Sequence, residues 1–210
     1  MEKVFLSLAA GALVLASCVS NPEGKKAETA DSVENVALSD GGSELTVDTA
    51  LSNVEWTGRK VSGQHHGHVK IKSGELTVDE GKLVGGNFVI DLTSINNLDL
   101  EGEYKGKLEG HLKSPDFFDV ENHPEATFEI TEVKDGTEAG AVVIAGNLTI
   151  RGVSKNITFD AQVEESSDTA VKATADFNIA REDWGVSYKG QADDLISKEI
   201  NLKVKLVAGA

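Results

Sequence analysis

Cysteine is almost absent from this chain: Cys18 is the only one in 210 residues. An intrachain disulfide is therefore excluded, and no thiolate chemistry is available elsewhere. Aromatic residues make up only 5%, so an apolar core has to be built mostly from Val, Ile, Leu and Ala. Small inward side chains of that kind leave space in a closed sheet. Basic residues are outnumbered 35 to 20 by acidic ones, for a formal charge of −15. Such a surface repels phosphate backbones, which sets nucleic-acid partners aside. A Gly-x-Ser-x-Gly nucleophile elbow is missing. No carboxylate pair stands out for acid and base roles, and no tandem repeat is found.

What the chain does have is alternation. In residues 141–163, Val142, Ile144, Leu148 and Ile150 share one parity; after a break at Arg151-Gly152, Val153, Ile157, Phe159, Ala161 and Val163 share one again. Period-two patterning in two consecutive runs predicts a hairpin with one apolar and one wet face. A lone hairpin is marginal in water, so more strands must cover that face.

They are present from residue 44 onward. Short apolar runs through Val54, Trp56, Val61, Val69, Ile71, Leu76 and Val78 are separated by Ser62-Gly63, Ser73-Gly74 and Glu80-Gly81. Residues 82–92 place Val84, Phe88, Ile90 and Leu92 on one parity, with a bulge or bend expected at Gly85-Gly86. Residues 101–113 shift to helical spacing through Tyr104, Leu108, His111 and Leu112, weakened by Gly102, Gly106 and Gly110, so a short helix is predicted. Ala126, Phe128 and Ile130 mark the next strand. Val171, Ala173, Ala175, Phe177 and Ile179 mark another, and residues 181–197 read as a loop or short helix. Ile200, Leu202, Val204 and Leu206 mark the last. Eight or nine amphipathic strands form either a two-sheet sandwich or a closed barrel.

Residues 1–17 carry an early Lys and an apolar run too short to span a bilayer, the shape of an export signal. Leu15-Ala16-Ser17-Cys18 resembles the lipobox of bacterial lipoproteins. That resemblance implies cleavage before Cys18 and acylation of it, with Val19 in the next position favouring the outer membrane, on its periplasmic or its surface face. Residues 18–43 are poor in large apolar groups and rich in Ser, Glu, Asp and Gly, so a flexible lipid-anchored tether is expected.

Residues 108–128, LEGHLKSPDFFDVENHPEATF, resemble the signature of the YceI-like family of bacterial envelope proteins. The likeness continues in GNLTIRGV at 146–153 and FNIAREDWGV at 177–186. Upstream it takes in Trp56-Thr57-Gly58, Gly67-His68-Val69 and Gly85-Gly86-Asn87-Phe88, and it departs near residues 195–200. It implies an all-β, antiparallel, lipocalin-like barrel of about eight strands with one short inserted helix, over residues 44–207. It further implies an interior that binds a long apolar molecule such as a polyisoprenoid, a quinone tail or a fatty-acyl chain. The inward-parity candidates for its wall are Trp56, Val69, Ile71, Phe88, Ile90, Phe128, Ile130, Ile144, Phe159, Phe177 and Ile179. Trp184 and Tyr188 are candidates for its mouth, and a salt link within Arg181-Glu182-Asp183 is expected to pin the loop there.

Three readings follow. The first is a non-enzymatic, lipid-anchored binding protein of the cell envelope, without a cofactor, for carriage, storage or protection of a hydrophobic molecule. In the second, His66 and His68, on one face of a strand with His65 opposite, form half of a metal site that His111 or His123 could complete. The third is a structural or interaction module whose barrel is filled by its own side chains. Pairing of two copies along an exposed edge strand is compatible with each.

Overall fold

The computed structural model describes residues 19–34 and 42–209. The signal segment and the acylation site read at Cys18 lie outside them. The strands are β1 (Lys25–Lys26), β2 (Glu28–Asp31), β3 (Ser43–Val47), β4 (Asn53–Lys60), β5 (Gly63–Asp79), β6 (Lys82–Asn97), β7 (Glu125–Asp135), β8 (Ala141–Ile150), β9 (Val153–Ser167), β10 (Ala170–Ala180), β11 (Gly190–Gln191) and β12 (Asp194–Gly209). One α-helix, α1 (Gly102–Lys113), joins β6 to β7, and a 3-10 turn at Arg181–Trp184 follows β10.

Antiparallel pairing runs β4-β5-β6-β7-β8-β9-β10-β12 and returns to β4, so the sheet closes into a barrel of eight. Strand β3 continues the stave begun by β4, pairing with the far ends of β5 and β12. Closure removes free edges from this ring.

Local chemistry sets the turns. Arg151 and Gly152 both have positive φ, 52° and 72°, and join β8 to β9 through the directly opposed pair Ile150 and Val153. This is the two-residue turn whose twist matches that of the flanking strands. Glu80-Gly81 repeats it between β5 and β6.

The other glycine signals mean something else. Ser73-Gly74 does not end a strand; β5 runs straight through it, with a register shift beside it. At Gly85-Gly86 the expected bulge is present. Thr77 pairs with Gly85 but Val78 pairs with Leu83, so Val84 is the extra residue. The bulge reverses the parity below it, and Leu83, not Val84, is the buried member.

Helix α1 is amphipathic over one turn only. Leu112 is buried, whereas Tyr104, expected on the same face, is 73% exposed. Ser114 ends the helix, its backbone N–H and hydroxyl both donating to the His111 carbonyl.

The tether expected over residues 18–43 is corrected for part of its length. Strand β1 pairs with Phe177 and Asn178 of β10, and β2 pairs with residues 155–158 of β9. Direct β9–β10 pairing covers only residues 161–167 and 170–175, so these strands splay beyond it and the N-terminal strap fills the seam. Ala27 is 3% exposed within the core, and Asn147 holds Val33 by two hydrogen bonds of 2.9 and 3.0 Å. Composition misjudged this segment because a strand can be held by main-chain hydrogen bonds to an open edge without large apolar side chains of its own.

Candidate ligand cavity

Inward-facing residues of the staves leave a cavity of about 470 Å³, within the range of about 300–1,000 Å³ usual for small-molecule sites. The barrel is therefore not filled by its own side chains. All eleven wall candidates line it, from Trp56 and Val69 through Phe88, Phe128 and Phe159 to Ile179. The alternation of small and large residues explains the space: Ala161, Ala173 and Ala175 face it where bulkier residues would close it.

Four phenylalanines cross the interior. Phe88 lies 6.4 Å from Phe128, Phe128 lies 5.8 Å from Phe159, and Phe159 stacks on Phe177 at 4.0 Å. This belt separates two buried clusters. One contains Leu92, Ile95, Leu148 and Ile179, the other Leu76, Leu83, Ile130 and Ala173, and the cavity is lined from both. Leu45, Val47, Val78 and Val171 belong to the second cluster as well but do not line the cavity.

Polar lining residues gather at the opposite end, where α1, the β4–β5 turn and the β11–β12 turn meet. Arg59, Lys60, His65, His111, Tyr188, Gln191 and Asp194 line the cavity there. Lys60 Nζ lies 2.6 Å from Asp194 Oδ2, while Ser62 donates to the same carboxylate from its backbone N–H and its hydroxyl. Hydrogen bonding from Lys60, then from Ser62, pulls the Asp194 carboxyl down to about 2. Two turns of the rim are thereby locked together. Burial pushes the Asp99 carboxyl up, but donors from the His66 backbone and the His65 and Asn97 side chains outweigh it and hold Asp99 below the usual carboxylate range. His111 meets Tyr188 edge-on at 4.6 Å and Phe117 at 5.4 Å, so the helix caps the rim through aromatic contacts.

Several expectations for this end are revised. Tyr188 lines the cavity, but Trp184 does not: it is 1% exposed, packed in the core, and donates its indole N–H to the Leu148 carbonyl at 2.9 Å. A buried N–H needs an acceptor, and the β8 carbonyl supplies it. The salt link expected within Arg181-Glu182-Asp183 is replaced by bonds from Arg181 to the carbonyls of Ser197 (2.9 Å) and Val186 (2.6 Å). Among the described residues no group of three His, Cys, Asp or Glu side chains converges as a metal site. His65 and His66 turn instead to Asp99, at 2.7 and 3.6 Å, His111 sits in the aromatic rim, and His123 lies 4.0 Å from Asp119. The half-site read at His66 and His68 is thus not completed by either partner.

The lining residues passed over in the sequence include Phe117, Phe118 and Arg181. For Arg181 a signal was there: it continues the inward parity of Ala173, Ala175, Phe177 and Ile179. Phe117 and Phe118 follow the helix in a loop, where no periodicity announces a facing.

No helix among the described residues is long and apolar enough to cross a membrane. Comparison with known proteins gives a consistent placement. A UPF0312 protein of Pseudomonas putida (strain W619) is 31% identical over 143 residues, which cover 66% of this chain and 72% of that one. Among solved structures, Burkholderia cenocepacia BcnA superposes with a TM-score of 0.66 at 21% identity, covering 77% of this chain and 99% of that one. A polyisoprenoid binding domain from Saccharophagus degradans, described as implicated in plant cell wall breakdown, superposes with a TM-score of 0.61 at 18% identity, covering 80% and 99%. These two likenesses concern the fold. The sequence model of the YceI-like domain matches residues 45–208, nearly the whole barrel, and the chain belongs to the YceI-like domain family.

Proposed function

We propose that the barrel is a non-enzymatic binding site for one long apolar chain, of the polyisoprenoid, quinone-tail or fatty-acyl kind, carried, stored or protected in the bacterial envelope. The observation that carries this reading is the cavity itself: about 470 Å³, lined from both sides of the aromatic belt, and walled mainly by apolar residues, with most of its polar lining at the rim end. A hydrocarbon chain gains about 25 cal/mol for each Å² taken from water and asks for no polar partner along its length. The likeness in fold to a polyisoprenoid binding domain supports the same class of guest. The lipobox-like Leu15-Ala16-Ser17-Cys18 supports a lipid-anchored protein at the outer membrane, since several acyl chains together anchor stably.

Native mass spectrometry of the protein purified from its own host, followed by solvent extraction, tests this. A co-purifying prenyl or acyl compound in stoichiometric amount is the expected result. Protein that carries no such compound and takes up none from added lipid would overturn the reading.

A further inference from the structure

Arg181 is 2% exposed and faces the cavity at its rim end. Its Nε and Nη1 are held by the Ser197 and Val186 carbonyls, and its guanidinium carbon lies 5.6 Å from the Phe117 ring centroid. The group is fixed in place, yet its charge is not matched. Among the described residues no carboxylate lies within ion-pair distance of it. Glu182, next in the chain, turns to Lys198 at 3.7 Å. The two carboxylates that line the cavity are engaged elsewhere, Asp194 with Lys60 and Glu199 with the Asn178 amide at 3.0 Å. Nη2 makes no bond to the protein among the described residues. A buried cation with no carboxylate in contact is costly unless something compensates it; burial lowers the guanidinium pKa, and the negative charge of nearby Glu182 offsets that only in part. The fold keeps this arrangement in a chain with 15 acidic residues in excess, although an apolar residue at the same parity would extend the wall.

We infer that the guest is an amphiphile with a single anionic oxygen head, a carboxylate or a phosphate, seated on Arg181 beneath α1, with its tail running past the Phe88–Phe177 belt. Planar guanidinium donors suit both heads, and the charge-assisted bond forms where Phe117 and the rim exclude water. The inference rests on the apolar-chain reading above and narrows its ligand class: neutral chains of the same length should bind less well.

The test uses delipidated full chain and three ligands of one chain length: a fatty acid, the corresponding fatty alcohol, and the alkyl phosphate. Isothermal titration should give the acid or the phosphate at least about tenfold tighter binding than the alcohol. Whichever anion is preferred distinguishes a free fatty acid from a lipid phosphate as the source. Arg181→Gln should bring the ratio of anion to alcohol affinity close to one, and Arg181→Lys should keep part of the preference. A structural role for Arg181 would lower all three affinities together. Equal or tighter binding of the alcohol by the unaltered protein, or an anion preference that survives Arg181→Gln, would overturn the inference while leaving the apolar-chain reading intact. Binding of none of the three would overturn both. Should Arg181→Gln not fold, Arg181→Lys decides the seat, because Arg59 and Lys60 also line the rim: an anion preference that Arg181→Lys leaves undiminished would overturn the inference.

Discussion

Gly146 lies directly beneath the ring of Phe128: a Cβ at this position would run into the ring edge and into the Glu129 carbonyl at 2.8 Å. Gly146 belongs to β8, the stave between those that carry Phe128 and Phe159, and its missing side chain lets the two rings approach to 5.8 Å. The aromatic belt thus depends on a residue with no side chain. Gly146→Val should force Phe128 off its position and shift the β7 backbone, costing about 1–3 kcal/mol as other overpacked cores do. Urea denaturation measures the loss. Uptake of a fluorescent fatty acid should fall with it, since the displaced ring has only the cavity to enter.

The half of the cavity beyond the belt should set the longest chain accepted. Ala173 lines that half and is buried. Ala173→Phe should leave short-chain binding intact and abolish binding of the longest ligands, with a stability change of no more than about 3 kcal/mol. Titration with a series of fatty acids of increasing length reads the cut-off directly.

The strap formed by β1 and β2 should come away when the apolar residue buried between them is made charged. Ala27→Asp places a carboxylate in the core cluster without a partner, at a cost of at least about 1 kcal/mol. Limited proteolysis should then cut within residues 19–34 while the barrel from residue 42 onward resists, and the unaltered protein should show no early cut there.

Acid should loosen the rim before the barrel. The Asp194 carboxyl has a folded value of about 2 against an ordinary 3.8, held down chiefly by the Lys60 hydrogen bond. A depressed folded value means that its contribution is complete above about pH 4 and is lost as pH falls through about 2. Carboxyl-carbon NMR titration should show Asp194 still ionised at pH 3. Asp194→Asn should remove the part of the acid dependence that lies in that window.

Cys18→Ala should release the protein from membranes into the soluble envelope fraction if the lipobox-like motif directs acylation. Fractionation of host cells checks this, and continued membrane partitioning of the variant would remove the anchor from the proposal.

The strands and their facing were legible in the chain because alternation is a local property: each inward residue is two positions from the next, whatever the rest of the protein does. The wall from Val69 to Ile179 could therefore be named without coordinates. Parity fails where the register slips, as at the Val84 bulge, and a glycine in the text reads alike whether it marks a turn, as at Gly152, or lets a ring pass, as at Gly146. Only the tertiary structure decided those cases. It alone brought residues 25–31 to the seam between β9 and β10, buried Trp184 behind Leu148, and parted Arg181 from the carboxylates beside it in sequence. Each of these is a contact between groups far apart along the chain or a direction chosen by packing. Composition and spacing carry no distance information of that kind, whereas closure of the sheet supplies it by fixing every stave against its neighbours.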